Sequence, residues 1–314
     1  MTCLVVGSVA LDTVDTPFGR AVDALGGTAV YFSLAASLFT DVQLVGVVGE
    51  DFPREAVDML RNRGVDLAGL QVRRGNTFRW VGEYGYDMNV ARTLDTRLNV
   101  FETFRPELPE SFRRADRVFL GNIDPELQLA VLEQVASPAL TAVDTMNYWI
   151  DGKRDQLLEV VRRVGAVLIN EAEIRQLTGH YNVLDAARSV QDLGPECIVI
   201  KRGEYGSMML NGDEICVVPG FPTADVRDTT GAGDSFAGGF IGYLDAHGPG
   251  ADLRAALVFG TVLASFTVED FSVGGLARAT VDSVGERYHE LADVTRIEAG
   301  VIQRMESESK GVQV

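Results

Sequence analysis

The sequence predicts an α/β protein, a three-layer arrangement with a mainly parallel central sheet, helices on both faces and a small β-sheet lid. Three observations carry this. Short continuous apolar runs alternate with helix-patterned segments along most of the chain, which is how strands buried on both faces read. A polar residue follows four of the runs (Asn122, Asp144, Asn170 and Lys201), and the carboxyl ends of such strands form the ligand crevice of open α/β sheets. One segment, residues 77–84, breaks the rhythm by alternating, with Phe78, Trp80 and Tyr84 on one face.

In chain order, the apolar runs at residues 3–6, 43–48, 117–120, 140–143, 166–169 and 197–200 are expected to be strands. Helical patterning places helices at 31–39, 53–63, 126–135, 153–164, 171–177 and 184–193, and two longer ones at 251–269 and 281–296. After residue 84 the turn-like Gly85-Tyr86-Asp87 leads into a second alternating stretch at 88–94, the pattern of an antiparallel hairpin. So small a sheet cannot bury its aromatic face by itself. That face is expected to cover a substrate cleft, a second subunit or both, or else to pack on the main core. Residues 12–25, with Pro17 and Gly19, are a further non-helical stretch suited to the same lid. The expected organisation is one domain over residues 1–302, with lid segments at about 12–25 and 77–100, and a polar tail at 303–314.

Composition narrows the function. With 314 residues and 46% apolar side chains the chain can bury a large core. The excess of 45 Asp and Glu over 28 Lys and Arg gives a net charge of −17, a field that repels nucleic acid and anionic membranes. A nucleotide is still admitted, because a local seat can hold it. Cys3, Cys197 and Cys216 are isolated and His180, His247 and His289 are far apart, so no cysteine/histidine metal site is expected. The isolated cysteines, the lack of a basic leader and the lack of any run of membrane length lead to the expectation of a soluble cytoplasmic protein.

The chemistry concentrates in residues 228–240, Asp-Thr-Thr-Gly-Ala-Gly-Asp-Ser-Phe-Ala-Gly-Gly-Phe. Gly231 and Gly233 let backbone N–H groups approach a ligand, and the helix that follows adds free N–H donors and the positive end of its dipole. This is a seat for an anion, most naturally a phosphate. A carboxylate at Asp234 does not help to hold a phosphate. It is useful there if it takes the proton of a hydroxyl that attacks phosphorus, although a simple helix cap is the competing reading. Ala237, Gly238 and Gly239 lie within the helix, where each glycine costs about 1 kcal/mol relative to alanine, so something must approach that helix closely.

With these motifs in place, the sequence resembles the PfkB (ribokinase-like) family of carbohydrate and nucleoside kinases from about residue 3 to residue 296. Residues 228–240 resemble its C-terminal signature. Residues 7–12 resemble its opening strand with a substrate-binding aspartate, Gly26-Gly27 its diglycine hinge, Asn170-Glu171-Ala172-Glu173 its N-x-x-E segment, and residues 201–206 its nucleotide-side strand and turn. The resemblance implies an ATP-dependent kinase acting on a sugar or polyol hydroxyl, with a nucleoside or inositol-type acceptor as the alternative. It implies that Asp234 is the base and that Gly231, Ala232 and Gly233 form the anion hole. Asp12, Gly26, Gly27 and Tyr31 would meet the acceptor, and Lys201, Gly203, Gly206 and Thr230 the nucleotide. Asn170 and Glu173 would organise Mg²⁺ through water, or else simply cap a helix. The resemblance leaves K⁺ or another monovalent cation open, with residues 271–275 as its place, and implies a homodimer formed through the lid.

The chain departs from the family pattern on the acceptor side. Tyr31 stands where many members have a substrate-binding asparagine, Pro53-Arg54 replaces a usual glycine, and residues 144–149 lack a common arginine. Tyr31 is expected to stack on a cyclic polyol or a nucleoside base. The rival readings are a silent nucleotide- or sugar-binding relative, which has no use for Asp234, and a dinucleotide oxidoreductase or Walker-type ATPase, whose glycine fingerprints are absent.

Overall fold

Strands that are apolar on both faces find partners before anything else, and here they form one nine-stranded sheet. The computed structural model describes residues 2–296, so the tail expected at 303–314 lies outside the described residues. The strands are β1 (Thr2–Val6), β4 (Asp41–Gly49), β5 (Asp66–Arg73), β8 (Arg117–Leu120), β9 (Leu140–Asp144), β10 (Ala166–Asn170), β11 (Cys197–Lys201), β12 (Ser207–Asn211) and β13 (Glu214–Val218), in the order β13-β12-β11-β10-β9-β8-β1-β4-β5. From β11 to β5 every pairing is parallel, and β12 and β13 add an antiparallel edge.

A second sheet joins β2 (Ala10–Thr16), β3 (Gly19–Gly26), β6 (Phe78–Tyr84) and β7 (Ala91–Arg97) in the order β3-β2-β6-β7. Both segments expected to form the lid therefore do so, in one sheet. Asp12 pairs with Trp80 across its centre. Strands β5, β12 and β13 were not expected from the pattern: the edge strands β5 and β13 keep one face wet and lose the continuous apolar signature, and β12 is a short antiparallel strand paired between β11 and β13.

Alternation along the strands divides the core. Cys3 and Val5 face one layer, with α1 (Thr28–Ala36), α8 (Ala232–His247) and α9 (Leu253–Val268). Leu4 and Val6 face the other, with α5 (Arg154–Arg163), α6 (Glu171–Thr178) and α7 (Val183–Gln191). The remaining helices are α2 (Arg54–Asn62), α3 (Pro125–Leu132), α4 (Asn147–Gly152), α10 (Gly274–Arg278) and α11 (Val281–Val294). All three cysteines are free and buried, and among the described residues no helix is long and apolar enough to cross a membrane.

The glycines inside α8 are explained by what lies against them. A Cβ on Gly238 would fall 2.5 Å from the Phe32 carbonyl oxygen of α1, and one on Gly239 would fall 2.7 Å from the Phe259 carbonyl oxygen of α9. Gly238→Ala therefore sets a helix-propensity gain of about 1 kcal/mol against overpacking of about 1–3 kcal/mol. Overpacking is expected to win, with a lower urea midpoint. Gly285→Ala in α11, where an added Cβ meets nothing within 4 Å, is expected to stabilise by about 0.5–1 kcal/mol. Equal effects at the two positions would show that close helix approach is not what selects glycine in α8.

Candidate active site

The loop at 228–231 turns into α8 beneath the lid. Gly231 caps the helix in the left-handed conformation (φ 76°), and a Cβ there would lie 2.3 Å from the ring of Tyr31. Only glycine satisfies both the backbone and the ring beneath it. Tyr31 is 2% exposed, so the stacking on an acceptor ring expected from its position is corrected: the side chain supports the loop from below. Asp228, 1% exposed, shapes the other end of the loop, accepting the Thr230 N–H at 2.9 Å and the Ser272 N–H at 3.4 Å. The Ala232 N–H donates to the Thr229 carbonyl at 3.2 Å and so helps to turn the loop. The first turn of α8 still presents N–H groups that have no preceding helical carbonyl.

Asp234 lies in that first turn, beside the amino end of α1. The Thr28 side chain hydrogen-bonds its carboxylate, while the Thr28 N–H donates to Ser8 Oγ at 3.1 Å. Burial and then the charge of Asp144 push the Asp234 carboxyl up to about 7, against the opposing pull of Lys201 and the Thr28 bond.

Lys201, at the end of β11, joins the groups together. Its ammonium is ion-paired with Asp144 and lies 3.1 Å from where a Cβ of Gly233 would be. Burial would lower its pKa, but the charges of Asp144 and Glu173, the Asp144 hydrogen bond and the charge of Asp234 hold it above the usual lysine value. Lys201 thus sits against the anion loop and is firmly charged. Asp144 was visible in sequence only as a polar strand end. Its ion pair with Lys201 spans two strand positions in the sheet, which no local spacing reveals.

On the acceptor side, Asp12 is 6% exposed on β2, and a Cβ on Gly26 would fall 2.0 Å from its Oδ2. Gly26 therefore makes room for the carboxylate. The backbone N–H groups of Gly27 and Trp80 bond to it, yet burial, reinforced by the charges of Asp228 and Asp234, raises it to about 8. Gly27 is the N-cap of α1, so the diglycine, Asp12 and Asp234 meet where the helix begins.

Asn170 and Glu173 form a capping box: Asn170 Oδ1 accepts the Glu173 N–H at 2.8 Å, and Glu173 Oε2 accepts the Asn170 N–H at 3.0 Å. Burial and then Asp144 raise the Glu173 carboxyl to about 7. Among the described residues no group of three or more His, Cys, Asp or Glu could hold a metal ion directly. One capped carboxylate with a second acidic group nearby fits Mg²⁺ bound mostly by water and phosphate oxygens. Gly203 and Gly206 bound the short turn that joins β11 to β12, and Gly206 packs against the Val218 carbonyl. The lid reaches this region too. The Tyr84 hydroxyl is 3.3 Å from Thr230 Oγ1, and Thr229 Oγ1 donates to the Met88 carbonyl at 2.6 Å. The aromatic face of the hairpin thus covers the cleft at Tyr84. Sequence reasoning placed Tyr84 on the covering face of the hairpin but assigned no role to Thr28 or Met88, whose partners lie far along the chain.

Comparison with known proteins agrees with this geometry. A family profile described as pfkB family carbohydrate kinase matches residues 12–278. The chain is 34% identical over 243 residues to a cytidine kinase of Thermococcus kodakarensis, covering 76% of this chain and 86% of that protein. It is 33% identical over 260 residues to an aminoimidazole riboside kinase of Salmonella typhimurium, covering 76% and 79%. A solved structure of a ribokinase from Cryptococcus neoformans in complex with ADP superposes with a TM-score of 0.75 at 23% identity, over 91% of this chain and 99% of that one.

The electrostatic reading has a direct test in a ¹³C NMR titration of the Asp234 carboxyl. It is expected to titrate near 7 in the native protein. Asp144→Asn removes a negative neighbour and frees Lys201, and both changes favour the charged form, so the value should fall toward the ordinary carboxylate range. An unchanged or higher value would show that Asp144 does not set the ionisation of Asp234.

Proposed function

The chain belongs to the pfkB family of carbohydrate kinases, and from that membership we propose that it transfers the γ-phosphoryl group of ATP to a hydroxyl of a nucleoside, with Asp234 as the base. The enzyme class, a phosphotransferase acting on an alcohol, comes with the family. The observation that supports the assignment within it is the convergence of the α1 and α8 amino ends on a half-buried carboxylate, beside a charged lysine and a glycine loop.

In the proposed reaction the acceptor hydroxyl gives its proton to the Asp234 carboxylate. Its oxygen bonds to the γ-phosphorus as the bond from phosphorus to the β–γ bridging oxygen breaks, and ADP leaves. Charge on the transferred group is met by the first-turn N–H groups at Gly231 and Gly233 and by the Lys201 ammonium, which supply electrostatic stabilisation without rearrangement. Asp12 holds acceptor hydroxyls, and Gly203 and Thr230 flank the nucleotide. Mg²⁺, when bound through water to Asn170 and Glu173, neutralises phosphate charge. Beside residues 271–275, Asp228 accepts the Thr230 and Ser272 N–H groups and Asp270 accepts the Phe271 N–H, and no step depends on a monovalent cation there.

A nucleoside rather than a free sugar is favoured because the matched cytidine kinase covers most of both chains. A free sugar or polyol is the alternative. A homodimer through the lid is part of the proposal, supported by the exposed Phe18, Val22 and Leu94 on its strands and connecting turn.

A coupled ADP-release assay across cytidine, other nucleosides, ribose and polyols tests the proposal. A nucleoside is expected to exceed ribose in kcat/KM, and the reverse order would establish the sugar alternative. Asp234→Asn should lower kcat by about 10²–10⁴ while AMP-PNP still binds. Turnover within a few-fold of the native enzyme would remove Asp234 as base. Since the base works only when ionised and its carboxyl sits at about 7, kcat/KM should fall as pH drops below about 7. A plateau that persists to pH 5 would contradict this.

A further inference from the structure

The hairpin turn at residues 85–90 reaches past the acceptor cleft to the β11–β12 turn. Asn89 Oδ1 lies 2.2 Å from where a Cβ of Gly203 would be, so the Asn89 side chain rests on the Gly203 α-carbon. Gly203 has φ 56°, and the missing side chain thus serves both its own backbone and the docking of the lid tip. The preceding residue, Met88, is buried and holds a left-handed backbone (φ 52°) that non-glycine residues adopt only when their surroundings require it. Its carbonyl accepts the Thr229 hydroxyl at 2.6 Å, and four residues earlier the Tyr84 hydroxyl meets Thr230. The tip is therefore fastened to the start of the anion loop on one side and to the β11–β12 turn on the other. Lys201 stands two residues before Gly203 in the chain, and its ammonium, paired with Asp144, lies against Gly233.

We propose that Asn89 is a donor-side positioning residue, supplied by the lid tip to the phosphate end of the nucleotide, so that one element closes over both substrates. This rests on the donor-side reading of Lys201 and Gly203 given above. The chemistry suits the place. A carboxamide offers two N–H donors to phosphate oxygens without adding charge to a site that already balances a lysine against three carboxylates. Because the same sheet carries Asp12 and Asn89, acceptor and nucleotide each favour the closed arrangement, and by reciprocity each tightens the other.

The test uses the full chain with Mg²⁺ and AMP-PNP alone, so that no acceptor need be known. Hydrogen–deuterium exchange at residues 85–91 is expected to slow on adding AMP-PNP. Asn89→Ala, an exposed turn substitution, should weaken AMP-PNP binding about ten-fold and abolish that protection. Asn89→Asp should weaken binding further, and more so at low salt, because a carboxylate repels the triphosphate where a merely structural contact would be indifferent to charge. Binding by both variants within two-fold of the native protein, or exchange at 85–91 unaffected by the nucleotide, would overturn the proposal and leave the Asp234 assignment standing. Failure of the native protein to bind AMP-PNP would overturn both.

Discussion

The close approach of α1 and α8 is the constraint on which the site depends. Two helices normally keep 8–10 Å apart because side chains stand between them. Here Gly238 meets the Phe32 backbone and the Ala35 methyl, and Gly242 meets the Ala36 backbone, so α8 places no side chain against α1 at these two positions. The consequence appears at their amino ends. Gly27 and Thr28 at the start of α1 come up to Asp234 in the first turn of α8, and the Tyr31 ring fits beneath Gly231. A wider spacing would leave Tyr31 no loop to support and Thr28 no carboxylate to bond. The helix glycines weaken α8 locally, and the packing they permit brings the amino ends of two helices to one point.

That point is crowded with charge of both signs. Asp144, Glu173 and Asp234 surround the Lys201 ammonium, so the lysine stays protonated while two of the carboxyls rise toward neutrality. Burial contributes most to the shifts of Glu173 and Asp234, and Asp144 reinforces both. A carboxyl that titrates near 7 is a better base than one that titrates near 4, because proton transfer to it is less uphill while a useful fraction is still ionised. The same burial that perturbs the site thus suits it to remove a proton from an alcohol.

Much of this was legible in the sequence, and what was not has a common cause. Each parallel strand from β8 to β11 announced itself as an apolar run, because burial on both faces leaves no polar position to confuse the pattern. The glycine loop running into α8 was legible because its glycines, its carboxylate and its helix are contiguous. Edge strands β5 and β13 were not, since water on one side erases the signature. Tyr31 misled for a related reason. Its place after the diglycine suggested contact with substrate, but the side chain turns under the loop, where a Gly231 two hundred residues away leaves a space for it. Lys201 with Asp144, and Thr229 with Met88, are pairings made by sheet order and lid closure, which spacing along the chain does not encode.

The surroundings of Asp12 come from both the lid sheet and the core. Asp12 is on a lid strand and takes one backbone N–H from Trp80, which moves with it, and another from Gly27, which caps a core helix. Burial of the carboxyl, reinforced by the charges of Asp228 and Asp234, raises it to about 8. At neutral pH it is then mostly protonated, so it can donate one hydrogen bond and accept another. A pair of adjacent hydroxyls needs that combination of donor and acceptor, whereas an ionised carboxylate would only accept. The charge state of Asp12 is therefore set where the two sheets meet, by burial first and then by the two neighbouring carboxylates.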